Sequence, residues 1–223
     1  MSETTAVQDY LKALYQLGGS SAPVPTSDLA ARLGVRPASV SGMVRRLDEL
    51  GLVSYAKYKG ARLTRRGVRA AVEMIRHHRL LELYLARVVG MPWDKVHAEA
   101  DALEHHISED LESRLDELLG HPTTDPHGDP IPTRDLVLTE PGYITLSSVD
   151  AGGRCVVRRV SDQSAELLRH LDDLGMRPGA KIRVLEAVPF GGGVRVRVKG
   201  VDRVLGAAGA DAVFVEPVAA TAR

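Results

Sequence analysis

Histidines and carboxylates recur at helical spacing in the middle of this sequence. His97, Asp101, Glu104 and His105 follow one another at steps of four, three and one, and such steps stack side chains on one face of a helix. His78 and Glu82 stand four apart on the preceding segment, able to present an imidazole and a carboxylate together. Mixed nitrogen and oxygen donors suit Mn2+, Fe2+, Co2+, Ni2+ or Zn2+, with Cd2+ as a further substitute, and no Cys-x-x-Cys pair offers a thiolate zinc site instead. For any single histidine, a solvated acidic helix face is the plainer explanation. For six such positions on two adjacent helices it is not, because clustered carboxylates repel unless a cation lies between them. His77 and His106 fall beside the stripes and are expected on the surface.

The net charge of zero conceals how these residues are distributed. Residues 1–72 carry 11 Lys and Arg against 5 Asp and Glu, and nine of those basic residues lie between Arg36 and Arg69. Residues 73–141 carry 6 against 15 and hold seven of the eight histidines, whereas residues 142–223 return to 12 against 9. Three segments with three jobs are expected: 1–72, 73–141 and 142–223.

In the basic segment, Val7, Tyr10, Leu11, Leu14 and Tyr15 recur at helical spacing until Gly18-Gly19 and Pro23 break the chain. Leu29, Ala30 and Leu33 mark a short second helix ended by Gly34. Pro37 starts a third, striped by Val40, Met43, Val44, Leu47 and Leu50. Two helices joined by a tight glycine turn form a helix-turn-helix. Opposite the stripe of the third helix stand Ser39, Ser41, Gly42, Arg45 and Arg46, and Arg36 and Pro37 precede them. A face that is small and polar at its amino end and basic further along suits the major groove. Strand-like runs at 52–55 and 61–64 then flank Lys57-Tyr58-Lys59-Gly60, a basic wing whose Lys57, Lys59 and Arg62 would meet phosphates.

The acidic segment reads as two long helices, one from Val68 through Val89 and one from after Pro92-Trp93-Asp94 to Leu119. In the last segment, runs at Arg154–Val160, Lys181–Val188 and Val194–Val198 predict a small β domain with one helix near Ala165–Leu174. The single Cys155 excludes a disulfide framework, no apolar run approaches the ~20 residues of a membrane span, and the amino terminus lacks a secretory pattern, so a cytoplasmic protein is expected.

The order winged helix-turn-helix, R-H-H-R-L-L-E (Arg76–Glu82), V-H-A-E-A-D-A-L-E-H-H-I-S (Val96–Ser108) and D-P-H-G-D-P-I-P (Asp125–Pro132) resembles the diphtheria toxin repressor family, more closely its manganese transport regulator branch. L-G-M-R-P-G (Leu174–Gly179) resembles the SH3-like, FeoA-like domain of its long members. The resemblance implies a mainly α protein with a small C-terminal SH3-like β-barrel, a homodimer joined through the middle helices, and two metal sites per subunit.

By resemblance, Asp9 in Q-D-Y-L (Gln8–Leu11) joins Asp101, Glu104 and His105 in a primary site, and His78, Glu82 and His97 form an ancillary one. Asp162 is the nearest match for a further ancillary ligand from the third domain, with Gln163 and Glu166 as rivals and Arg159 where a Glu is expected. Iron-sensing members carry Met and Cys at the positions of Asp9 and Asp101, so two carboxylates point to Mn2+. Lys12 stands where short binuclear members carry a carboxylate, which favours two separated sites over a shared one.

The function expected is a metal-dependent repressor that binds operator DNA and controls metal-homeostasis genes, with an Fe2+-responsive regulator as the alternative. A hydrolase using Glu104 as base finds no H-E-x-x-H helix, phosphate loop or nucleophile elbow. A nucleoid protein indifferent to metal leaves the His and carboxylate stripes without a purpose.

Overall fold

The computed structural model describes residues 5–161 and 164–218. Two compact units divide the chain: one consists of the chain up to His78 with Ala102–Glu112 and Pro132–Leu138, the other of Arg79–Asp101, Ser113–Ile131 and the chain from Thr139 on.

The first unit begins with α1 (Thr5–Gln16), α2 (Thr26–Leu33) and α3 (Pro37–Glu49). Val7, Leu11 and Leu14 of α1, Leu29 of α2, and Val40, Val44 and Leu47 of α3 share one buried core. Each such side chain contributes roughly 1.5–3 kcal/mol on burial, so the apolar stripes fix how the three helices meet. Gly34 ends α2 in the left-handed conformation at φ 65°, and Pro37 opens α3, which is the punctuation a helix-turn-helix requires. Strands β1 (Val53–Ala56) and β2 (Gly60–Leu63) pair antiparallel, with Val53 opposite Leu63 and Ala56 opposite Gly60. Gly60 has φ 101°, and a Cβ there would come within 2.2 Å of the Val24 carbonyl oxygen, so only glycine lets the wing return against that segment.

Helix α4 (Arg65–Tyr84) continues as a π-helical turn over Leu85–Val89 and stops at Gly90, φ 76°. The second long helix expected from the sequence is two helices, α5 (Val96–Leu103) and α6 (Glu109–Leu118). The break has a local cause. His106 N–H turns back onto the Leu103 carbonyl, and the Ser108 hydroxyl accepts the Leu111 N–H at 3.2 Å, beginning a fresh helix. Glu104 and His105 therefore lie in a turn, off the α5 stripe that holds His97 and Asp101.

The second unit carries a six-stranded antiparallel sheet ordered β3-β8-β4-β5-β6-β7. Its strands are β3 (Ile144–Thr145), β4 (Arg154–Val160), β5 (Lys181–Val188), β6 (Gly193–Val198), β7 (Val201–Leu205) and β8 (Val213–Pro217), with α7 (Ala165–Asp173) and α8 (Ala207–Ala212) between them. Alternating burial along β6 puts Val194, Val196 and Val198 into a core with Val157, Leu168, Met176 and Trp93. Trp93 thereby packs the segment before α5 into the same core as the β domain.

Candidate metal centres and DNA-binding face

In the first unit a set of polar side chains converges on Glu104, a residue 2% exposed. Asp9, on the partly exposed side of α1, brings Oδ1 to 3.1 Å from Nε2 of His105. His105 Nδ1 lies 2.8 Å from Oε1 of Gln8, so both ring nitrogens face acceptor oxygens; with Nδ1 donating to Gln8, Nε2 offers its lone pair on the side of Asp9 and Glu104. A lone pair facing carboxylate oxygens is repulsive unless a proton or a cation comes between them. One donor atom from each of Asp9, Glu104 and His105 lies within 4.8 Å of the others, which is compatible with one ion.

Glu104 has other company. Lys12 Nζ donates to Oε2 at 2.7 Å and to Oε1 at 3.0 Å, and His78 Nδ1 lies 2.6 Å from Oε2. An ammonium and an imidazole thus already compensate the buried carboxylate.

The second unit gathers a different set. Glu82, fully buried, presents Oε1 to Nδ1 of His97 at 3.1 Å, and His97 Nε2 faces Oδ2 of Asp101 at 3.3 Å. His97 therefore has a carboxylate at each nitrogen. Asp162 and Gln163 lie outside the described residues. Arg159 sits 3.1 Å from Glu140 and 3.6 Å from Asp129, with its guanidinium 4.5 Å from the centre of the Phe214 ring.

Sequence reading left a buried cluster on the other side of Glu82 unrecognised. His127 Nδ1 stands 3.7 Å from Glu82 Oε2, beyond hydrogen-bond reach, and Asp125 adjoins both. Burial pulls the His127 imidazole down, but the carboxylate of Glu82 and the charge of Asp125 outweigh it and push it up to about 9. Burial, with the charges of Glu82 and Asp129, raises the Asp125 carboxyl well above its usual range. The D-P-H-G-D-P motif was the available signal. His77, expected on the surface, is also buried, with Nε2 2.9 Å from Glu112. It lies beside Arg76 on α4, and the carboxylate of Glu112 on α6 meets Nε of Arg76 and Nε2 of His77.

On the first unit, Arg36, Pro37, Ser39, Gly42, Arg45 and Arg46 are exposed on one side of α3, opposite buried Val40, Val44 and Leu47. Ser41 is partly buried and donates to the Pro37 carbonyl at 3.2 Å. At the wing tip Lys57, Tyr58 and Lys59 are all exposed, with Lys57 Nζ 5.0 Å from the centre of the Tyr58 ring.

A winged helix-turn-helix with an exposed basic face, followed by helices that gather imidazole and carboxylate donors, defines a metal-dependent DNA-binding regulator. The chain belongs to the iron dependent repressor family, that of the diphtheria toxin repressor. Residues 3–61 match its N-terminal DNA binding domain, residues 64–133 its metal binding and dimerisation domain, and residues 144–217 a FeoA domain. The chain is 37% identical over 207 residues to the iron-dependent repressor IdeR of Mycobacterium tuberculosis, covering 87% of this chain and 89% of that protein. It is 33% identical over 116 residues to the regulator MntR of Bacillus subtilis, covering 52% of this chain and 81% of that protein. A manganese-dependent transcriptional repressor solved in complex with manganese superposes with a TM-score of 0.86 at 38% identity, over 95% of this chain and 100% of that one. No helix among the described residues is long and apolar enough to cross a membrane.

Proposed function

We propose that this chain is a manganese-responsive, cytoplasmic repressor that binds operator DNA as a homodimer and controls metal-homeostasis genes. Labour divides among a DNA-binding head over 1–72, a helical metal-binding and dimerisation segment over 73–141 and a FeoA-like domain over 142–223. The observation that carries the reading is the 3.1 Å approach of Asp9, on the first helix of the DNA-binding head, to His105.

Asp9, Glu104 and His105 are the core of the primary set, and Glu82 and His97 of the ancillary set. Asp101 and His78 keep the roles that the family resemblance gives them, as does Asp162. Bound at the primary set, a divalent cation supplies positive charge against Asp9 and Glu104. Asp9 then holds α1 to the turn at Glu104 and His105, and the buried Leu11 and Leu14 of α1 pass that restraint to the core of the head. Arg45, Arg46, Lys57 and Lys59 meet the phosphate backbone, while Ser39, Ser41 and Gly42 approach base edges.

Three observations bear on the metal. The 37% identity to an iron-dependent repressor favours Fe2+. Against it stand the carboxylates of Asp9 and Asp101, hard oxygen donors that suit Mn2+, and the 38% identity to a manganese-dependent repressor. Mn2+ is the reading we adopt. Gel shifts on the chain's own upstream DNA, titrated with Mn2+ and Fe2+ and repeated with chelator, test it. Retardation that survives the chelator would contradict metal dependence, and a response to Fe2+ alone would contradict the choice of metal.

A further inference from the structure

The exposed face of the β domain carries a row of cations that the proposed function does not employ. Arg154 of β4 stands directly opposite Arg183 of β5, Arg183 opposite Arg197 of β6, and Arg197 opposite Asp202 of β7. Neighbouring strands are about 4.8 Å apart, and like charges directly opposite one another destabilise a sheet. Lys181, two residues before Arg183 on the same exposed side of β5, lengthens the row.

Only the far end of the row is neutralised. Asp202 accepts from Nε and Nη2 of Arg197 at 2.6 and 3.0 Å. Among the described residues, Arg154, Lys181 and Arg183 pair with no carboxylate. Other arginines of this domain are matched: Arg158 with Glu216, Arg177 with Asp172 and Arg195 with Glu186.

The turn after β6 adds a fifth cation. Lys199 and Gly200 link the paired residues Val198 and Val201, with φ 49° and 83°. Positive φ at both positions makes a hairpin turn that favours Asn-Gly, so a lysine there holds a sparsely populated conformation. Lys199 lies within electrostatic range of Asp172, but Arg177 holds both oxygens of that carboxylate. Arg154, Lys181, Arg183, Arg197 and Lys199 together line one cleft of about 390 Å3, a volume within the range of small-molecule sites.

A merely solvated basic face explains this arrangement less well. It needs neither a hollow nor arginines stacked opposite one another, and it would interleave acids as the rest of the domain does. A chain of phosphates accounts for both features. The planar fork of arginine pairs with phosphate oxygens two at a time. Five cations against Asp202 leave an excess that one phosphate group, at about −1.5 to −2, does not balance and that two or three do. We propose that this cleft binds an oligophosphate, either the phosphate chain of a nucleotide or the free inorganic ion. A small-molecule signal would then reach the regulator through its third domain. The proposal uses no residue of the metal sets or of the DNA-binding face and stands whether or not the metal reading holds.

Calorimetric titration of the full chain in metal-free buffer, with inorganic triphosphate and separately with ATP, tests it. Wild type should bind one triphosphate per chain saturably. Arg183→Gln and Arg154→Gln, both at exposed positions, should each weaken binding tenfold or more. Arg203→Gln removes an exposed arginine that does not line the cleft and should leave affinity within twofold. Equal affinity for both probes would identify the phosphate chain alone as the ligand, and tenfold tighter binding of ATP would identify a nucleotide; either upholds the site. No saturable binding to wild type, or an equal loss in Arg203→Gln, would overturn it. Triphosphate binding unchanged in Arg183→Gln, with a salt slope for DNA lowered by about 0.9, would assign the row to the DNA backbone instead. If Arg183→Gln does not fold, Arg154→Gln carries the same comparison.

Discussion

Lys12 and Glu104 form a close ion pair, Nζ to Oε2 at 2.7 Å, in a place where the carboxylate is 1% exposed and the lysine side chain 13%. The chain thus supplies its own cation to a carboxylate that the proposed function assigns to the metal. Lys12→Met removes the charge at similar length. Mn2+ affinity measured calorimetrically without DNA should rise roughly tenfold, equivalent to about 1.4 kcal/mol. Unchanged affinity would mean that Lys12 does not compete for Glu104.

Arg76 and His77 hold Glu112 at 2.6 and 2.9 Å, and Arg76 also donates to the Pro132 carbonyl. Burial on its own raises the Glu112 carboxyl, but the hydrogen bonds from His77 and Arg76 outweigh it and hold it below its ordinary 4.5. A depressed carboxyl stabilises the fold above its unfolded pKa and loses that contribution as pH falls through the folded one. Glu112→Gln should cost about 3 kcal/mol near neutrality by leaving Arg76 buried without its counter-charge. Urea unfolding should show the gap between wild type and variant narrowing on acidification below 4.5. A gap independent of pH would show that the ion pair is not its source.

Cys155 is 1% exposed, and burial pushes its thiol up to about 11. Thiolate is the reactive form, so the native chain should resist a thiol reagent at mildly alkaline pH and react fully once unfolded. Rapid native labelling would show that β4 opens readily.

Lys57 and Lys59 are exposed at the wing tip. Changing both to Ala should weaken binding to every DNA sequence and reduce the slope of log affinity against log salt by roughly 2, since each phosphate contact contributes about 0.9. An effect confined to one sequence would mean that the wing reads bases.

The head was legible because its signals are local: the stripes of Val7, Leu11 and Leu14 and of Val40, Val44 and Leu47 declare two helices, and Gly34 and Pro37 punctuate them. The break between α5 and α6 was not, since the His and carboxylate period runs on through Glu104 and His105 and only the cap at Ser108 announces a new start. The Asp125 and His127 cluster was hidden for a different reason. Its residues sit in a turn without periodicity, and their partner Glu82 is more than forty residues away, so only tertiary folding brings them together. Strands β7 and β8 also escaped notice, although their pairing with β6 and β4 completes the sheet.

The account turns on whether Asp9 connects the DNA-binding head to the turn at His105. The most direct test is fluorescence anisotropy on the chain's own upstream DNA at fixed salt, with Mn2+ and with chelator, for wild type and Asp9→Ala. Wild type should gain affinity with Mn2+ by roughly 5- to 150-fold, the range of a coupling of about 1–3 kcal/mol. Asp9→Ala keeps Glu104, His105 and the whole recognition face, so it should retain weak metal-independent binding and lose most of that gain. Stimulation equal to wild type in Asp9→Ala would contradict the account.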